Sequence, residues 1–233
     1  MLANVMIGVI IPVYITNQKL LDLYSKTIET LVTSIAPHEY KLYNIINMDT
    51  HAGISGISNP SNSVASAWNM GIRQSQKDGN KLHLVINHDI EFLEAAAANL
   101  IDFYQDNFDK YIIATALNVN PNNKLTNNPT YPDGNHRIPD FSCFICDDRL
   151  FEKVGEFDEN FKPAYFEDTD MRLRAQQTGY KMVSVKSAAI NHFGSATMKL
   201  DTSTAQSLPP YYRINQQYFI DKHGGTQDEL ITV

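Results

Sequence analysis

Short apolar runs rich in β-branched residues alternate with amphipathic stretches along most of this chain, and that alternation limits the fold more than any other feature. Val5–Val13 (VMIGVIIPV) has the pattern of a strand buried on both faces, and Pro12 ends it. Gln18–Ser34 then places Leu20, Leu21, Tyr24, Ile28 and Leu31 on one helical face. Leu42–Asn47 reads as a second strand, and Thr50–Asn62, rich in Gly, Ser and Asn, as a loop. Ser63 is placed to cap a helix over Val64–Gln76, which stops at Asp78-Gly79. Leu82–Ile86, a helix over Ala95–Tyr104 and a strand over Tyr111–Ala116 continue the rhythm. The succession predicts an α/β protein whose mostly parallel sheet is covered by helices.

Residues 119–139 break that rhythm, with six Asn and four Pro in 21 residues. A long loop of this kind inside a compact domain is usually functional or mobile. Beyond it, Phe141–Cys146 reads as a strand, Arg149–Val154 as a short helix, and Asp168–Thr178 as a helix closed by Gly179. Two further strands are expected at Met182–Val185 and Ala188–Asn191. The segment from Leu200 onward begins polar and then turns aromatic at Tyr211, Tyr212, Tyr218 and Phe219.

Composition narrows the function classes. The 233 residues carry 26 acidic and 19 basic side chains, a net charge of -7 and a pI near 5.4. No basic field is available to hold nucleic acid nonspecifically. Cys143 and Cys146 form a CxxC without the second ligand pair a zinc site needs, so they read as small core residues suited to a reducing compartment. The apolar run near the N-terminus lacks a basic flank and is far shorter than the roughly 20 residues of a membrane span. It reads as the first strand, and the expectation is a soluble, cytoplasmic protein.

The chemistry-bearing residues cluster in two segments. In LVINHDIEF (84–92) a buried strand runs straight into Asn87-His88-Asp89. Ligands of parallel α/β sheets bind beyond the carboxyl ends of the strands. Asp89 there is either a ligand for Mg2+ or Mn2+ on a diphosphate, or a solvated turn residue. In YFEDTD (165–170), three acids crowd one helix start. Capping accounts for one or two of them. Asp168, at the expected cap, is the first candidate general base and Glu167 the second; a carboxylate held by a helix N-terminus is expected to stay ionised. Asp170 is expected to anchor the loop or pair with Arg172 or Arg174. His192, at a strand end, is either structural or a ligand suited to Mn2+. Tyr14 and Asp49 follow the first and second strands, where they either hold a nucleobase or sit in surface loops. Asn69, on the inner face of SAWNMGI (66–72), needs a polar partner that a bound nucleotide would supply. Trp68 reads as core.

These segments together resemble family 2 glycosyltransferases, in particular their rhamnosyltransferase-like members. VIIPVY (9–14) is similar to the family's opening strand, ASAWNMGI (65–72) to its Asn-x-Gly helix, and LVINHDIEF to its Asp-x-Asp metal segment. VGEFDENFKPAYFEDTDMRLRAQQTGYKM (154–182) is similar to its acceptor and base segment, and this is the most specific match. The resemblance covers residues 5–195 and implies a GT-A fold over 1–199. Its nucleotide-sugar-binding half would be 1–92 and its acceptor half 93–199, with 200–233 a tail that closes over the donor. It further implies an inverting transfer from a nucleotide-sugar, UDP-linked by family frequency, to a hydroxyl of a glycan or other acceptor. The implied cofactor is Mn2+ or Mg2+, held by Asp89 and His192. Asp168 or Glu167 would be the base, and Pro12, Tyr14, Asp49, Asn69 and Asn87 would line the donor site, with Tyr14 and Asp49 on the base. Two departures stand out: Asn87 replaces the first acid of Asp-x-Asp, and NMDTHAGIS (47–55) lacks the usual second acidic turn. Arg213 or Lys222 either reaches the diphosphate or decorates a helix surface. A sugar-phosphate nucleotidyltransferase is disfavoured because YITNQKL (14–20) is not a Gly-rich basic loop. A non-catalytic nucleotide-sugar-binding module is the alternative. Modified DNA as acceptor receives no support from the acidic balance.

Overall fold

The computed structural model describes residues 5–47, 53–120, 130–194 and 202–231. Its centre is one eight-stranded sheet: β1 (Ile7–Val13), β2 (Tyr40–Asn47), β3 (Ile57–Asn59), β4 (Leu82–Ile86), β5 (Ile90–Phe92), β6 (Tyr111–Asn118), β7 (Cys143–Asp147) and β8 (Lys181–His192). The spatial order is β3-β2-β1-β4-β7-β6-β8-β5. The first half, β3 to β4, is parallel, as the alternation predicts. β7 departs from it, running antiparallel to both β4 and β6. A wholly buried strand looks the same in either direction, so its own residues carry no mark of its sense. The two strands expected at 182–191 are one, β8, whose register against β6 shifts between Ala116 and Leu117, opposite exposed Lys186 and Ser187.

Helices α1 (Gln18–Ser34), α2 (Val64–Lys77), α3 (Ala96–Asp106), α4 (Glu167–Gln177), α5 (Thr202–His223) and the short α6 (Gln227–Leu230) complete the fold. Asn17 and Ser63 cap α1 and α2 by accepting the Leu20 and Ser66 amides. α3 has no cap of its own; Ser34, at the end of α1, accepts its Ala97 amide instead. The tail read from sequence as a polar-then-aromatic segment is mostly α5; Pro209, Pro210 and a weak apolar stripe hide it.

Two apolar clusters fill the faces of the sheet. Cys143 packs in one and Cys146 in the other, so the CxxC straddles a strand rather than facing a metal. Burial pushes both thiols up. Trp68 is core, edge-on to Phe144 and Phe157. Gly71 lets α2 lie directly on β1: a Cβ there would stand 2.2 Å from Ile10 Cγ2. Among the described residues no helix is long and apolar enough to cross a membrane. Gly71→Ala is expected to cost about 1–3 kcal/mol through overpacking. Urea denaturation checks this, and pairing it with Ile10→Ala, which removes both γ carbons a Cβ at 71 would meet, should cost less than the sum of the two separate losses.

Candidate active site

The antiparallel pairing of β5 with β8 sets Ile90 opposite His192 and so brings Asp89 to the His192 ring. His192 Nε2 lies 3.3 Å from Asp89 Oδ1 and 3.5 Å from Asn87 Nδ2. The backbone of this corner is fastened from two sides. Phe193 N–H donates to the Asp89 carbonyl, while Asn118 Oδ1 accepts the His192 amide and Asn120 Nδ2 donates to its carbonyl. Burial of Asp89 favours its neutral form, but the hydrogen bond and charge of His192 outweigh that and hold the carboxyl below the usual range. His88, buried between them in sequence, is pushed down by desolvation. Its ring is bonded to the Pro12 backbone, and since proline has only a carbonyl to offer, Nδ1–H is the donor. Among the described residues, His88 Nε2 is left buried and without a hydrogen-bond partner, as is Ser142 Oγ on the neighbouring strand end.

A divalent cation fits this donor set. Bonds of about 2.0–2.2 Å meeting at about 90–110° separate two donor atoms by about 3.0–3.4 Å, and the Asp89–His192 pair stands at 3.3 Å. Among the described residues no third His, Cys, Asp or Glu joins them, so the remaining ligands would come from substrate and water.

The acidic helix α4 starts one residue before the expected cap. Its Ncap is Phe166, in the left-handed region at φ 73°, following Tyr165 at φ 80°. Glu167 and Asp168 are therefore the first two helical residues. The Glu167 carboxylate folds back onto its own amide and that of Tyr165, and among the described residues its Oε2 is buried without a further partner. Asp168 accepts from the amide and hydroxyl of Thr169 at 2.7 and 3.2 Å. Glu167 is buried and Asp168 half-buried, each beside a neighbour of like charge. Desolvation, then Asp168, pushes Glu167 well above the usual range. Desolvation also raises Asp168, with a smaller push from Asp140. The helix N-terminus is expected to favour the ionised form of Asp168; burial outweighs the N–H bonds there and raises its carboxyl. Arg172, one turn on, is itself pushed down by burial, offset in part by Asp168.

Asp140 ties the two clusters together. It accepts the amide of Ser142, whose carbonyl accepts the Asn87 amide, so the charge that reaches Asp168 comes from a turn bonded to the Asp89 segment. Neither Asp140 nor Ser142 was singled out from sequence. The signal available was a polar Asp-Phe-Ser step ahead of an apolar strand.

Asp170 belongs to the framework. Fully buried, it pairs with Arg174 at 2.8 Å, Lys222 at 2.6 Å and His223 at 2.8 Å. This confirms the pairing with Arg174 and brings in α5. Lys222 is thereby engaged, to Asp158 as well as Asp170, and its surroundings do not place it on a diphosphate. The C-terminal part of α5 packs on residues 158–170. Asn69 likewise finds its partners in the chain. Both amide hydrogens go to the Phe157 carbonyl and Glu159, and Oδ1 accepts the Phe157 amide. It is fully buried and bolts α2 to the segment leading to α4, so the donor-lining role read from sequence gives way to a joint. Tyr14 stands half-buried beyond the end of β1. Asp49 lies outside the described residues, as do 121–129 of the long loop.

Comparison with solved structures shows the GT-A fold. A mannosyltransferase from Pyrobaculum calidifontis, in complex with GDP-Man and Mn2+, matches with a TM-score of 0.62 at 11% identity, over 92% of this chain and 65% of its own. GalNAc-T7 with UDP, GalNAc and Mn2+ matches with a TM-score of 0.64 at 11% identity, over 82% of this chain and 44% of its own. The chain thus spans less than two thirds of either protein. No protein-family model and no curated protein sequence matches it.

The folded state holds the Glu167 proton more tightly than the unfolded chain, so its contribution to stability falls as pH rises above the ordinary Glu range. A tenfold difference in proton affinity is worth about 1.4 kcal/mol. Glu167→Gln removes that term. Its urea midpoint should exceed wild type at pH 8 and match it near pH 4.

Proposed function

We propose that this chain is a metal-dependent, inverting glycosyltransferase of the family 2 type. It would move a sugar from a nucleotide-sugar, UDP-linked by the sequence resemblance, to a hydroxyl of a glycan or other acceptor. The observation that carries the reading is the convergence of Asn87, Asp89 and His192 at one corner of a GT-A sheet, at a spacing that suits one cation. Both solved neighbours hold Mn2+ with a nucleotide or nucleotide-sugar, which favours the same ligand class here.

Asp89 and His192 would hold Mn2+ or Mg2+, which when bound would neutralise charge on the diphosphate leaving group. Pro12, Tyr14, Asn87 and Asp49 would border the donor. Asp168 takes the acceptor's hydroxyl proton as that oxygen bonds to the anomeric carbon. The bond from that carbon to the diphosphate oxygen breaks, its electron pair leaves with the nucleotide, and the configuration inverts. Burial raises Asp168, which strengthens it as a base while leaving it ionised more readily than Glu167. Raised further than Asp168 by burial, Glu167 is the more readily protonated of the two, and in that form it spares Asp168 a second adjacent charge.

Asp168→Asn should lower transfer about 10²–10⁴-fold with donor binding intact. Asp89→Ala, or EDTA, should abolish binding of UDP in the presence of Mn2+. Calorimetry with UDP and a turnover assay over a panel of nucleotide-sugars separate the two effects. Metal-independent binding unaffected by Asp89→Ala, without turnover, would instead establish a binding module.

A further inference from the structure

The described end of α5 reaches the loop before α4 through one buried amide. We infer that Asn215 is a positioning residue for Glu167 and Asp168, an inference that rests on the catalytic reading above. Asn215 is 2% exposed, and its Nδ2 points at three carbonyls: Lys162 at 3.2 Å, Ala164 at 2.8 Å and Tyr165 at 3.0 Å. An amide nitrogen carries two hydrogens, so three carbonyls can share it only if the chain curls about a common point. That curl runs into the left-handed φ values of Tyr165 and Phe166, a conformation L side chains rarely adopt unless their surroundings hold them there. The peptide units concerned are the ones that aim the acids. The Tyr165 carbonyl is clamped by Asn215, its amide bonds the Glu167 carboxylate, and α4 begins at Glu167.

The rest of α5 fixes where that amide sits. Phe219, fully buried, packs on Phe166 at 5.8 Å between ring centroids, and Lys222 and His223 close on Asp170. The chemistry at position 215 must be that of a donor, because a carboxylate of the same shape would face carbonyl oxygens. Asn215 thus sets the orientation of the base from a helix that contributes no acid to the site.

The test compares Asn215→Asp and Asn215→Ser with wild type and with Ile101→Val, a mild core truncation on α3. Hydrogen exchange of amides 164–168, donor KM and kcat are measured on the full chain. Asn215→Asp should exchange faster over 164–168 and lose tenfold or more in kcat, with donor KM within twofold of wild type. Asn215→Ser, which keeps one donor, should fall between, and it decides the matter by the same readouts if Asn215→Asp does not fold. Unchanged exchange, or an equal kcat loss in Ile101→Val, overturns the inference. A wild type inert towards every nucleotide-sugar rejects the transferase reading. A loosened loop in Asn215→Asp would then mark the clamp as structural only and overturn its positioning role.

Discussion

The site depends on a three-residue strand. β5 folds the exit of β4 back along β8, and the register Ile90 to His192 places Asn87 beside a ring 105 residues away, with Asp89 at 3.3 Å. A strand this short at a sheet edge has little to hold it. Here α1 supplies the missing edge: Thr27 Oγ1 donates to the Ile90 carbonyl and accepts its amide, and Thr30 Oγ1 accepts the Phe92 amide. A slip of one residue would turn every β5 side chain to the other face and separate the two donors. The geometry that suits a cation is therefore set by backbone pairing and two threonine hydroxyls on a distant helix.

The second half of the site is decided by where countercharge is supplied. Three acids stand in four residues, all of them buried or half-buried, yet they divide cleanly. Asp170 meets Arg174, Lys222 and His223 and becomes a rivet between α4 and α5. Glu167 and Asp168 take their hydrogen bonds from backbone amides and a hydroxyl, and although Arg172 lies close enough to feel the Asp168 charge, burial raises both carboxyls. A buried carboxyl without a close ion pair is expensive to keep ionised.

Much of this was legible in the residues, and what was not had physical causes. β1, α1, α2 and β4 are set by apolar periodicity and side-chain caps, all local signals, and stand close to where the sequence places them, although β1 runs through Pro12 to Val13 rather than ending at the proline. Asp89, His192 and the acidic trio could be found because polar residues at the ends of apolar strands need a reason to be there. The direction of β7 was hidden because burial on both faces leaves no directional mark. Asn69 announced that it needed a partner, but Phe157 lies 88 residues away, and no local pattern says whether protein or ligand fills the gap. α5 was missed because its hold on the domain is a few specific contacts, such as Asn215 and Lys222, rather than a regular apolar stripe.

The central claim is that Asp89 and His192 share one divalent cation with a nucleotide diphosphate. Electron spin-echo spectroscopy of Mn2+ added to the protein with UDP tests it without reference to turnover. The account predicts modulation from one imidazole nitrogen, lost in His192→Gln, with Mn2+ binding weakened in Asp89→Ala. An Mn2+ signal carrying no imidazole nitrogen, or one that His192→Gln leaves unchanged, would contradict it.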